Sequence, residues 1–180
     1  MPTWSAPSWS VSSSMNKIER KIQKIKLFAL DFDGVFTDNR VFIDEEGREA
    51  VVCDRGDSLG LKMLREKRPD ILVIVISKET NNVVRARCEK LKIACRTGID
   101  DKFTTFREII TEANLDPEQV AYMGNDVNDL ECITFAGIGV AVADSDPKVL
   151  AVADYITRKK GGRGAIREFI DIILTEINTT

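Results

Sequence analysis

The chain has 180 residues, 43% hydrophobic and 31% charged, with a formal net charge of -3 and no histidine. That length holds one well-cored domain, and the absence of histidine excludes a Ser-His-Asp triad, a Cys-His pair and a HExxH zinc site. Lys and Arg are scattered among acids, which speaks against a nucleic-acid surface, and no apolar run reaches the roughly 18–20 residues of a membrane span.

Residues 1–21 are expected to lie outside the fold as a tail, with a single domain over 22–180. The stretch from Met1 to about Ser14 is rich in Ser, Pro and Trp without a helical or strand period, and Met15 is a candidate natural start. No cationic segment followed by an apolar core marks it as a secretory signal. From Ile25 the pattern becomes regular, and Ile25–Leu30 reads as a buried strand ending at Asp31. Val41–Ile43 and Ala50–Cys53 flank Asp44-Glu45-Glu46-Gly47, the signature of a β-hairpin within Arg40–Asp54. Ser58–Lys67 carries apolar residues at helical spacing and is closed by Pro69. Ile71–Ile76 is an uninterrupted aliphatic run, as expected of a parallel strand covered on both faces. Helices are predicted at about Thr80–Leu91, Lys102–Ala113, Asn128–Phe135, Pro147–Ala151 and Arg163–Ile177, with strands at Val120–Met123, Ile138–Ala141 and Tyr155–Ile156. This alternation implies an α/β fold with a doubly wound, mostly parallel sheet. Ligands of such sheets sit beyond the carboxyl ends of the strands. Cys53, Cys88, Cys95 and Cys132 form no CxxC pair and read as reduced thiols of a cytoplasmic protein.

Asp31-Phe32-Asp33 stands at the end of the first strand, where residues two apart point the same way, so both carboxylates can face one phosphate. Acids this close repel unless a cation or a shared proton intervenes, which predicts a metal or a raised pKa. Ser77 follows the aliphatic strand, where its hydroxyl and nearby backbone N–H groups suit a phosphoryl oxygen at a helix N-terminus; a plain helix cap is the other reading. Lys102 opens a later helix, and Gly124-Asn125-Asp126-Val127-Asn128-Asp129 follows the strand Val120–Met123.

Asp31-Phe32-Asp33-Gly34-Val35-Phe36-Thr37-Asp38 resembles the first motif, DxDGxxTD, of the haloacid dehalogenase phosphatases. The resemblance implies a magnesium-dependent phosphatase in which Asp31 is the nucleophile, Asp33 the general acid and base, and Ser77 and Lys102 the partners of the phosphoryl oxygens. The stretch Gly124–Asp129 resembles the fourth motif, GDDxxD, and departs from it at Asn125, where the family carries a metal-binding carboxylate. An Asn carbonyl can ligate a hard cation without bringing charge. The implied metal set is therefore Asp31, Asp33 through its backbone carbonyl, and either Asn125 or Asp126, with Asp129 holding a metal-bound water.

Neither interval between motifs has room for a cap domain, so the chain is similar to the capless 3-deoxy-octulosonate 8-phosphate and 2-keto-3-deoxynononate 9-phosphate phosphatases. In these families four subunits assemble around the hairpins, which implies a homotetramer with Gly161–Arg167 reaching a neighbour's site and Arg163 or Arg167 meeting a substrate carboxylate. Ser77-Lys78-Glu79-Thr80 lacks the Gly-Arg pair of the octulosonate enzymes. Glu79 and Lys90 match the nononate enzyme's specificity pair and would share a helix face, which puts a nine-carbon sugar-acid phosphate first. Two other readings follow from the same resemblance: a broad sugar-phosphate phosphatase, and a non-catalytic module like that attached to acylneuraminate cytidylyltransferases.

Overall fold

The structure, a computed structural model, describes residues 13–175. In chain order it runs α1 (Ser13–Gln23), β1 (Leu27–Leu30), β2 (Phe42–Ile43), β3 (Glu49–Ala50), α2 (Arg55–Lys67), β4 (Leu72–Ile76), α3 (Asn82–Leu91) and β5 (Ala94–Arg96). It continues through α4 (Lys102–Glu112), β6 (Val120–Gly124), α5 (Leu130–Phe135), β7 (Ile138–Ala141), α6 (Pro147–Val152), β8 (Tyr155–Ile156) and α7 (Ala165–Thr175). Six strands form one sheet in the order β5-β4-β1-β6-β7-β8, every pairing parallel. After β1 the chain builds outward on one side through β4 and β5, then returns to add β6 on the other side. The carboxyl end of β1 is thus the switch point, the place where such sheets bind ligands.

Alternation along β1 feeds two cores. Phe28 and Leu30 pack with Leu61 and Leu64 of α2, Val84 and Cys88 of α3, and Phe169 and Ile173 of α7. Leu27 and Ala29 face the other way, toward Phe106 and Ile109 of α4 and Ile133 of α5. Both faces being covered is why the strands read as unbroken aliphatic runs, and each large side chain so buried contributes about 1.5–3 kcal/mol.

Three expectations need correction. The N-terminal boundary at residue 22 is too late: α1 begins at Ser13, buries Ile22, packs Ile18 against the core and ties Lys21 to Asp154 at 2.9 Å. Residues 1–12 lie outside the described residues, as do residues 176 and 177 of the helix expected to reach Ile177. The predicted helix from Thr80 starts two residues later, because Asn81 is extended and its side chain accepts the Val83 N–H as an N-cap. The segment from Asn128 is a 3-10 turn at Val127–Asp129 leading into α5.

The hairpin forms with shorter strands than its apolar runs suggested, paired Phe42 to Ala50 and Ile43 to Glu49. Asp44 closes its turn by accepting the N–H groups of Glu46 and Arg48. Val51 packs against the core, but most of the hairpin's apolar side chains face solvent, with Phe42 70% and Val52 77% exposed.

Candidate active site

Adjacent strands β4, β1 and β6 end at Ile76, Leu30 and Gly124, so the topology alone delivers Ser77, Asp31 and Asn125 to one end of the sheet. Asp31 is only 5% exposed. Its Oδ1 accepts the Phe32 N–H at 2.7 Å and pairs with Lys102 Nζ at 2.7 Å. Among the described residues no donor bonds Oδ2 of Asp31, which leaves that oxygen free to act.

Lys102 is the first residue of α4, a helix held by the N-cap Asp101, and its buried ammonium also meets Asp129 Oδ1 at 2.8 Å. Asp129 has no exposed surface and is fully engaged. Its Oδ1 accepts the Tyr122 hydroxyl at 2.8 Å as well as Lys102, and its Oδ2 accepts the N–H groups of Asn125 at 3.0 Å and Asp126 at 3.3 Å. Burial is the main force raising the Asp31 carboxyl above its ordinary range, Asp129 adds to it, and Lys102 opposes. Burial also works against the Lys102 charge, but the two carboxylates outweigh it and its pKa rises. Two acids against one ammonium leave a buried site short of positive charge, so a cation is the natural complement.

The residues present fit such a cation. Asn125 is 8% exposed, and its side-chain Oδ1 is buried without a hydrogen-bond partner, an atom that should not be left unpaired in a folded interior. Gly34 makes room for it at φ +80°, since a Cβ there would lie 2.0 Å from Asn125 Nδ2. Asp126, the alternative ligand, is exposed and spends Oδ1 on its own turn through the Val127 N–H at 2.7 Å. A carboxylate oxygen and an amide oxygen are hard donors of the kind magnesium accepts. Among the described residues no group of three Asp, Glu, His or Cys side chains is placed to hold a metal.

Asp33 is half-buried, and burial followed by the charge of Glu79 raises its pKa, with Lys102 opposing. The motif loop that carries it is built from within. Thr37 is buried and its Oγ1 accepts the N–H groups of Gly34 and Asn39, while the Gly162 N–H donates to the Val35 carbonyl at 2.9 Å. A Cβ at Gly161 would stand 1.8 Å from the Gly34 oxygen, so the C-terminal loop lies directly on the loop of the two carboxylates.

The other expected residues divide. Ser77 is buried beside this centre but does not open a helix: its Oγ accepts the Glu79 N–H at 3.1 Å, and α3 begins five residues later. Glu79 therefore lies in the β4–α3 loop, where it lines a cavity against Asp33, while Lys90 is exposed in the last turn of α3 and does not line it. The shared helix face is not formed, because the Asn81 cap stops the helix short of Glu79. Arg163 pairs with Asp38 at 3.4 Å and Arg167 with Asp171 at 2.7 Å, both within the same chain. The sequence reading missed Tyr122, Asn39, Glu49 and Asn81. Only Tyr122 left a signal, as a polar tip in an otherwise apolar strand next to the acidic motif.

Fold and site together are those of a hydrolase built on a doubly wound α/β sheet, with paired carboxylates at the sheet's switch point. The chain belongs to the haloacid dehalogenase-like hydrolase family, whose profile matches residues 60–170. It is 35% identical over 156 residues to the 3-deoxy-D-manno-octulosonate 8-phosphate phosphatase KdsC of Yersinia pestis, covering 86% of this chain and 82% of that one. A crystal structure of 3-deoxy-D-manno-octulosonate 8-phosphate phosphatase from Moraxella catarrhalis, in complex with a magnesium ion, a phosphate ion and a KDO molecule, superposes with a TM-score of 0.87. It is 35% identical, and 92% of this chain and 94% of that chain are covered. The cobalt-bound deoxy-D-mannose-octulosonate 8-phosphate phosphatase of Haemophilus influenzae gives a TM-score of 0.82 at 34% identity, covering 88% and 92%.

Proposed function

We propose that this chain is a magnesium-dependent phosphatase acting on a phosphorylated 3-deoxy sugar acid, with 3-deoxy-octulosonate 8-phosphate as the leading substrate. The observation that carries the reading is Asp31, buried at the switch point with Oδ1 clamped by Lys102 and Oδ2 free. In this mechanism Asp31 Oδ2 attacks phosphorus in line, forming an aspartyl-phosphate. Asp33, whose raised pKa favours the protonated acid, gives its proton to the leaving oxygen. The same carboxyl, now ionised, takes a proton from the water that releases phosphate. Lys102 and the loop at Ser77 hold the equatorial oxygens. A magnesium ion held by Asp31, the Asp33 carbonyl and Asn125 Oδ1 would supply charge neutralisation between two anions that otherwise repel.

The nine-carbon expectation moves to second place, since the relatives above carry an octulosonate in their names. It keeps one supporting observation, Glu79 on the wall of the cavity beside Asp33. The exposed hairpin supports assembly into a homotetramer, and the four free thiols suit the cytoplasm. Among the described residues no helix is long and apolar enough to cross a membrane. Phosphate release from octulosonate 8-phosphate, nononate 9-phosphate and simple sugar phosphates, with and without magnesium, tests the reading. Turnover of the octulosonate ester above the others is expected; no magnesium-dependent release from any of them would end the proposal, and with it the preference for a catalytic over an assembly role.

A further inference from the structure

A cavity of about 250 Å³ opens against Asp33, between the hairpin and the β4–α3 loop. Because Asp33 serves the leaving oxygen in the mechanism above, whatever is bonded to that oxygen must enter this space. Its polar lining is one-sided. Three carboxylates, Asp33, Glu49 and Glu79, and two amides, Asn39 and Asn81, border it, the rest is apolar, and among the described residues no Lys or Arg lines it. Glu49 comes from β3 and accepts Asn81 Nδ2 at 2.6 Å, a bond that ties the hairpin to the β4–α3 loop across the cavity.

Carboxylates receive hydroxyl donors well and repel anions. A hydroxylated carbon chain entering here finds strong acceptors in Glu49 and Glu79, and its C–H faces meet the apolar wall. A carboxylate entering here meets at least two like charges and no cation, an arrangement that disfavours its binding. We infer that Glu49 is a specificity-determining residue, and that the cavity under the hairpin selects phosphate esters whose carbons nearest the phosphate are neutral and hydroxylated, excluding those with a carboxylate within one or two carbons of it. The inference rests on the phosphatase reading of the site and sharpens it: a sugar acid is accepted only with its carboxylate at the far end of the chain, outside this cavity.

The test uses two small probes of opposite kind, sorbitol 6-phosphate and phosphoglycolate. Affinities are measured by calorimetry in magnesium on the full chain carrying Asp31→Asn, which binds without turning over, and kcat/KM is measured on the chain with Asp31 intact. Glu49→Gln keeps the shape and still accepts the Asn81 donor while removing the charge. The expected result is a preference for sorbitol 6-phosphate of at least tenfold in both measurements, shrinking by tenfold or more in Glu49→Gln because phosphoglycolate gains and the polyol loses. Equal affinity for the two probes, or a preference that Glu49→Gln leaves untouched, would overturn the inference. Preferential binding of the polyol ester with no hydrolysis of any ester would uphold the cavity's selectivity and sink the phosphatase reading alone.

Discussion

Asn125→Asp changes one atom type at the least satisfied position of the site, and the structure says which way each consequence runs. The Asn125 Oδ1 is buried without a partner, beside a cluster already holding Asp31 and Asp129 against a single Lys102. Without metal, a new carboxylate here adds repulsion, and an unpaired buried charge costs about 3–5 kcal/mol unless it takes up a proton. With magnesium the sign reverses. A unit charge about 4 Å from a divalent ion gains ~2 kcal/mol even at the dielectric of water, a floor for a site this buried. That gain corresponds to about a thirtyfold tighter dissociation constant. Thermal melts in EDTA and across a magnesium titration read both effects. The variant should melt below the native chain in EDTA, and at saturating magnesium its metal-induced rise should exceed the native one by about 4–8 °C, given the usual 2–4 °C per kcal/mol for a domain of this size. A variant whose melting point responds to magnesium as the native chain does would show that Asn125 does not face the ion.

Asp57 is 1% exposed, accepts the Arg167 N–H at 2.7 Å and leaves Oδ2 unpartnered; burial raises its pKa from 3.8 to about 6. The folded state therefore binds the proton more tightly, so the stability tied to that proton is full below pH 3.8 and is lost as pH rises through about 6. Urea unfolding should find Asp57→Asn gaining on the native chain by up to about 3 kcal/mol between pH 4 and pH 7.5, and a pH-independent difference would contradict the assignment. Gly162→Ala should destabilise by about 2–4 kcal/mol and cut turnover, because Gly162 sits at φ +64° and a Cβ would lie 2.5 Å from the Thr37 carbonyl carbon; chemical denaturation and kcat check the two halves. Phe42→Asp, on a side chain 70% exposed, should shift light scattering from tetramer to smaller species without lowering monomer stability, and a native monomer would remove the assembly claim.

Much of the fold was legible because burial on both sheet faces writes itself into sequence as aliphatic runs: Ile71–Ile76 and Val120–Met123 became β4 and β6 nearly to the residue. Asp31 and Asp33 were legible through the eight residues Asp31–Asp38 that match the family's first motif, since a charged pair after a strand is by itself as readily a surface turn. The start of α3 was not, because residues 77–82 are polar throughout and Thr80 is as good a cap by type as Asn81, whose side chain takes that role. Helix α1 was hidden by the Ser-rich stretch before it, although Ile18 and Ile22 stand four residues apart among charges. Least legible were contacts between distant segments. Nothing local joins Lys102 to Asp129, Glu49 to Asn81 or Gly161 to Gly34. The role expected of Gly161–Arg167 at a neighbour's site came from resemblance, whereas within one chain this loop braces the carboxylate loop and Arg163 holds Asp38.

The central claim is that Asp31 carries the phosphoryl group. Mass spectrometry of the protein, acid-quenched during turnover of octulosonate 8-phosphate in magnesium, tests it most directly. The account predicts a peptide containing Asp31 heavier by one phosphoryl group in the native chain, and neither that adduct nor phosphate release in folded Asp31→Asn. Hydrolysis at a near-native rate by Asp31→Asn, or an adduct on any other residue, would contradict it.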